Sequence, residues 1–194
     1  PGSLIPDNPP NQGCASIGNC TLCDMLTVFM NIARWIFVLG GGSNMLVADN
    51  GFNGLVIKAA NRDIEIHGTR VTAGAGALSA LVARKTAEAG LSGFLWAISL
   101  PGTIGGAVRG NAGCFGGETK DAVKSVNVFD FNKKEICNFK TEICSFSYRD
   151  SIFKYTNSPP VILSVELELR KDDSKKCLER IHQNLAARKD KQPL

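Results

Sequence analysis

No uninterrupted apolar run in this chain approaches the roughly 18–20 residues that a membrane-spanning helix requires. A positively charged start followed by an apolar stretch is also missing, so no signal peptide is expected. Charge of one sign is not in excess. The 22 Lys and Arg stand against 18 Asp and Glu, a net +4, and the basic residues are scattered apart from a cluster near the C-terminus. That pattern carries no electrostatic footprint for nucleic acid, and no membrane partner is indicated either. Cysteine is present seven times, an odd number dispersed through a chain too long to need staples, which points to reduced thiols and a cytoplasmic setting. Cys20-Thr-Leu-Cys23 has no second pair and no nearby histidine to complete four zinc ligands. Cys14, Cys20 and Cys23 are therefore expected as thiols on or beside a helix, and no metal is expected. Repeats and low-complexity blocks are absent.

The 194 residues, 44% hydrophobic and 21% charged, suit a globular protein of one large domain or two small ones. Its most telling stretch is Phe37-Val-Leu-Gly-Gly-Gly-Ser-Asn-Met-Leu-Val47. Ile36 to Leu39 reads as a buried strand feeding a bend at Gly40, Gly41 and Gly42. Residues without a Cβ let several backbone N–H groups converge on one anion such as a pyrophosphate. Ser43 and Asn44 add side-chain hydrogen-bonding groups. The bend is no P-loop, since no Lys-Ser/Thr pair follows, and no dinucleotide fingerprint, since Met45 holds the third glycine position. A phosphate cradle and an ordinary glycine-rich turn both remain open on these residues. A second glycine-rich run favours the cradle: Leu100-Pro-Gly-Thr-Ile-Gly-Gly-Ala107, then Asn111-Ala-Gly-Cys-Phe-Gly-Gly-Glu118.

Residues 1–19, rich in Pro, Asn and Gly, read as a poorly ordered arm. Leu22, Leu26, Phe29 and Ala33 recur at helical spacing over 21–34. After an apolar run at 45–48 and a turn at 49–54, strands are predicted at 55–57, over the alternating stretch 62–67 with Ile64 and Ile66 on one face, and starting at 71–73. Gly74-Ala-Gly-Ala-Leu-Ser79 opens a helix whose apolar face is expected to hold Leu78, Leu81 and Val82, ending at Gly90. Its G-x-G-x-x-S pattern is read as a close strand-to-helix turn. Segment 92–120 is loop-rich and nearly uncharged. A hairpin is expected at 124–131 and 134–139, a strand at 161–170, and a helix at 174–190 ending in Arg188, Lys189 and Lys191. Short strands mixed with a few helices, without a regular βαβ rhythm, give an α+β fold class.

Three stretches in this order resemble one family: Leu39-Gly-Gly-Gly-Ser-Asn44; the run from Leu100 to Glu118; and Ser147-Tyr-Arg-Asp-Ser-Ile-Phe-Lys154. Over roughly 36–194 the chain is similar to the UDP-N-acetylenolpyruvoylglucosamine reductases, the MurB-type flavoenzymes of peptidoglycan precursor synthesis. The resemblance implies a vanillyl-alcohol-oxidase (PCMH) type of FAD-binding fold with two subdomains, expected at 20–75 and 76–194. It implies FAD as cofactor, NADPH as hydride donor and a UDP-sugar, UDP-N-acetylenolpyruvoylglucosamine, as substrate. Gly40, Gly41, Gly42, Ser43 and Asn44 would wrap the FAD pyrophosphate. Pro101, Gly102, Thr103, Gly105, Gly106, Asn111 and Gly113 would line the flavin. Tyr148 and Arg149 would be the active-site pair, Arg149 offering a permanently charged donor fork to an enolate-like intermediate. On the residues alone, an ion pair between Arg149 and Asp150 is the competing reading, and Lys154 is either an attractor of anions or a solvated lysine. The family's proton-donating serine and stabilising glutamate would lie beyond Leu194. The substrate-covering domain is thus expected to be absent from this chain and turnover to be slight. Ser151 sits inside the arginine motif and is not that serine. A degenerate, non-catalytic flavin- or nucleotide-binding module is the alternative function, and the oligomeric state is undetermined.

Overall fold

A computed structural model describes residues 35–155 and 159–191. The expected arm at 1–19, the helix at 21–34 and Cys14, Cys20 and Cys23 lie outside them. A parallel ribbon comes first, β1 (Ile36–Leu39) beside β2 (Leu55–Lys58). Strands β3 (Ile64–His67) and β4 (Arg70–Gly74) lead into helix α1 (Ser79–Glu88). The stretch expected to be loop-rich holds β5 (Leu91–Ser92), a 3-10 turn (Leu95–Ser99), the short helix α2 (Ile104–Arg109) and a small hairpin of β6 (Gly113–Cys114) and β7 (Gly117–Glu118). Strands β8 (Val123–Asp130) and β9 (Glu135–Lys140) form the predicted hairpin. The described chain closes with β10 (Val161–Glu168), β11 (Arg170–Lys171) and helix α3 (Ser174–Lys191).

Five strands form one sheet in the order β3-β4-β10-β8-β9, every neighbour antiparallel. Strand β10 takes the centre because its alternation lets one face go inward. Val165 and Leu167 are fully buried, while Glu166 and Glu168 point outward to Arg70 and Lys124. A register shift between Ile162 and Ser164 marks a bulge, and Val161 and Ile162 are both buried there. Val71, Ala73, Val126 and Val128 share this core with Val82, Ala83 and Ala87 of α1, with Phe94, Ile104 and Val108, and with Ile181 of α3. Strands β3 and β4, which precede residue 75, hydrogen-bond into the same sheet as residues 123–168.

Two expectations need correction. Leu78 is not in α1: its extended backbone makes it the residue before the helix, and it pairs as an isolated bridge with Thr103. The buried face of α1 is therefore Ser79, Val82, Ala83, Thr86 and Ala87, while Leu78 and Leu81 are 48% and 40% exposed. Strand β1 is not buried: Phe37 and Val38 are exposed, and among the described residues its ribbon has two strands. The ribbon is tied to the sheet through Ile57, which packs on Phe129 and Val161. Within the apolar run at 45–48, Met45, Leu46 and Val47 are exposed. Among the described residues, no helix is long and apolar enough to cross a membrane.

These burials give a paired expectation. Leu167→Ala should lower unfolding free energy by about 2–5 kcal/mol, read from urea denaturation. Leu81→Ala should change it by only about 0.5 kcal/mol.

Candidate functional site

The site begins at the strand-to-helix turn after β4. A Cβ on Gly74 would lie 2.6 Å from the Asn61 carbonyl oxygen, and one on Gly76 2.5 Å from that of Ala59. Both glycines are thus required by close approach of the 59–61 backbone, which is what the G-x-G pattern serves. Asn61 locks the approach: its Nδ2 donates to the Leu163 carbonyl at 2.6 Å and its Oδ1 accepts from Gly76 N at 3.2 Å. Nothing in the pattern around Asn61 marked it out beforehand.

That turn in turn seats the second glycine run. Ile104 N donates to Ala77 O at 2.8 Å, Gly105 N to Ala75 O at 3.0 Å, and Ser79 N to Gly102 O at 3.1 Å. A Cβ on Gly105 would meet the Ala75 Cβ at 2.9 Å. Gly105 therefore has no room for a side chain where α2 docks on the turn. Thr103 caps α2 by accepting from Gly106 N. Gly106 and Pro101 are exposed, and Gly102 is held at φ +97, open to glycine at little cost.

The two glycine-rich bends meet. A Cβ on Gly41 would lie 3.0 Å from Gly102 Cα, one on Gly40 2.7 Å from Thr103 Oγ1, and one on Gly102 2.6 Å from Ser43 Oγ. Gly41, Gly42, Ser43 and Asn44 are exposed, and among the described residues no backbone acceptor takes up their N–H groups. An added Cβ on Gly42, at φ +72, would find only Leu39 Cδ1 within reach, at 3.9 Å. Exposed, side-chain-free backbone with available N–H groups is the donor set a pyrophosphate needs.

Asn111 is 1% exposed and sits at φ +39. Its Nδ2 donates to Glu118 Oε2 at 3.0 Å and to Ser147 O at 2.8 Å, and its Oδ1 accepts from Lys120 N at 3.0 Å. The Asn111 side chain is thus committed to the protein itself. Gly113 is pressed on by Gly117 O and Glu118, and its own carbonyl accepts from Arg149 Nη2 at 2.7 Å. A Cβ on Gly117 would run into the Trp96 ring, so the β6–β7 hairpin lies flat on the core.

Tyr148 and Arg149 project from a turn next to this hairpin. Tyr148 is 80% exposed, and the Arg149 guanidinium carbon lies 5.7 Å from its ring centroid. Asp150 faces Lys154 at 3.9 Å, so the lysine and not Arg149 is its ionic neighbour. Lys154 also donates to the Arg149 carbonyl, which makes it neither a solvated lysine nor an unengaged cation. Ser151 is buried and donates to Arg109 O at 2.7 Å. A concavity of about 370 Å³ is lined by Cys114, Glu118, Lys120, Tyr148 and Arg149 among others. Lys120, 2.8 Å away, and Asn111 hold the Glu118 carboxyl below its ordinary range, and Glu118 holds Lys120 above its own. Burial pushes the Cys114 thiol up, against the pull of Ser99, Arg188 and Arg149. Among the described residues no cluster of His, Cys, Asp and Glu could hold a metal, and Cys114, Cys144 and Cys177 are free thiols.

Comparison with known proteins follows the geometry. Residues 29–139, more than half of the chain, match the family described as "FAD binding domain". The chain is 40% identical over 163 residues to the UDP-N-acetylenolpyruvoylglucosamine reductase of Clostridioides difficile (strain 630), covering 81% of this chain and 51% of that protein. It is 39% identical over 158 residues to the enzyme of the same name from Lactobacillus acidophilus, covering 81% and 52%. The chain thus spans about half the length of the curated relatives it matches. Among solved structures, the UDP-N-acetylenolpyruvylglucosamine reductase (MurB) of Thermus caldophilus is similar at 33% identity with a TM-score of 0.76, over 89% of this chain and 61% of that one.

The lowered Glu118 pKa fixes a pH expectation. Its contribution to folding is complete above the unfolded glutamate value of about 4.3 and is lost as pH falls through the lower, folded value. The stability difference between the native chain and Glu118→Gln, measured by denaturation across pH, should therefore vanish in acid.

Proposed function

This chain belongs to the FAD binding domain family and is homologous to the MurB-type UDP-N-acetylenolpyruvoylglucosamine reductases; from that premise we propose that it is the FAD-binding part of such a reductase. The observation that carries the reading is the meeting of the two glycine bends, with the N–H groups of Gly41 to Asn44 exposed beside Gly102 and Thr103. Gly40, Gly41, Gly42, Ser43 and Asn44 would hold the pyrophosphate of FAD through backbone donors. Pro101, Gly102, Thr103 and Gly106 would give the flavin a low, close-approach surface, with Gly105, Asn111 and Gly113 fixing that surface from behind. The two subdomains would divide between Lys58 and Ile64, where strand pairing passes from the ribbon to the five-stranded sheet.

When bound, FAD supplies the redox chemistry, with NADPH as hydride source and the enolpyruvyl double bond of the UDP-sugar as acceptor. The chain's own contribution is charge and position. Arg149 keeps a guanidinium beside the 113–118 hairpin, anchored by one Nη and stacked on Tyr148. Its remaining donors would face the carboxylate of the substrate and hold the negative charge that develops next to it. The ring of Tyr148, exposed beside Arg149, would flank the same bound molecule.

Purified chain mixed with FAD and freed of excess cofactor should retain a flavin spectrum, and Gly41→Ala should weaken retention by about tenfold or more, since a Cβ there forces the bends apart. With NADPH and UDP-N-acetylenolpyruvoylglucosamine, Arg149→Lys should lower any turnover by about 10²–10³. A chain that takes up no FAD, or an Arg149→Lys chain with unchanged kcat, would overturn the corresponding part of the proposal.

A further inference from the structure

Arg149 sits on a four-residue turn closed by its own backbone, Ser147 N to Asp150 O at 3.1 Å and Asp150 N to Ser147 O at 3.2 Å. The residue is in the left-handed region at φ +56, which a side chain occupies only where its surroundings hold it. The turn alone cannot decide where the guanidinium goes. Two buried side chains fix it, Asn111 from beyond the end of α2 and Ser151 from the position that follows the turn. Asn111 Nδ2 reaches the Ser147 carbonyl at the start of the turn, and Ser151 Oγ reaches the Arg109 carbonyl at its end. Both anchors lie at the C-terminal end of α2 or just after it, and both residues are 1% exposed. Arg149 itself then closes onto Gly113, two positions beyond Asn111.

Asn111 suits this task by its chemistry. It carries two donors and one acceptor, and each is used, on Ser147, Glu118 and Lys120. Its left-handed backbone is one that asparagine tolerates better than most residues. One side chain thus joins the end of α2, the 113–118 hairpin and the arginine turn. We infer that Asn111, seconded by Ser151, is a positioning residue for Arg149: it sets the guanidinium against the flavin-binding surface without touching the bound molecule. This rests on the reading of Arg149 given above.

The test compares the native chain with Asn111→Gly, which keeps the left-handed backbone and deletes the three hydrogen bonds, and with Ser151→Ala. Hydrogen exchange is followed on a peptide covering 147–151, with α1 and β8 as internal references. Loss of either anchor should speed exchange at Ser147 and Asp150 by about tenfold or more, with α1 and β8 unchanged. The FAD-loaded chain adds a second readout. The change that Arg149→Ala makes in the visible flavin spectrum should be reproduced by Asn111→Gly, and the double variant should add nothing further. Unchanged exchange at 147–151, equal acceleration throughout the molecule, or additive spectral changes would each overturn the inference. Should Asn111→Gly fail to fold, Ser151→Ala alone decides it by the same criteria. A chain that binds no FAD sinks the functional proposal and leaves the exchange result to judge the positioning role.

Discussion

The structure around the site depends on main chain packing against main chain. Gly41 lies over Gly102 so closely that a methyl group would reach 3.0 Å from the opposing Cα, while the Thr103 and Ser43 hydroxyls leave no room for a Cβ on Gly40 and Gly102. Such a contact gives little apolar burial of its own, and glycine loses more conformational freedom on folding than any other residue. It has to be held in place by what surrounds it. What it leaves is a shallow surface of peptide groups, with N–H donors and no side chains between them and a ligand.

The support is a relay of backbone contacts reaching back to the sheet. Asn61 grips Leu163 at the edge of β10 and the turn at Gly76; that turn receives the N–H groups of Ile104 and Gly105; α2, capped by Thr103, presents Gly102 to Gly41. Each glycine in the relay answers to a named neighbour: Gly74 to Asn61, Gly76 to Ala59, Gly105 to Ala75. On the other side of α2, Asn111 and Ser151 attach the Arg149 turn to the same helix end. The helix is only six residues long, yet the glycine bend and the Arg149 turn both take their positions from it.

The sheet was readable because its signal is local. Alternation at 161–170 and the turn at 131–134 leave little freedom in register, and the hairpin and central strand follow from them. The glycine bends and the Tyr148-Arg149 pair were legible as motifs, since their spacing is distinctive. What each glycine is for was not legible. Gly105 and Asn111 read as ligand contacts, and the structure gives each a scaffold role as well, since close approach of distant backbone leaves the same mark in sequence as close approach of a ligand. Leu78 misled for a related reason. The helix begins one residue later than its apolar residues suggest, held there by the long-range bridge between Leu78 and Thr103. Asn61 and Ser151 carried no signal at all, since single side chains bonding to carbonyls 102 and 42 positions away obey no local period.

Calorimetric titration of the purified chain with FAD and with riboflavin, which has the ring but no pyrophosphate, bears most directly on the central claim. If the glycine bends seat the pyrophosphate, FAD binds and riboflavin binds about a hundredfold more weakly or not at all, a difference of roughly 2.7 kcal/mol. Equal affinity for the two would place recognition in the ring alone and contradict the account.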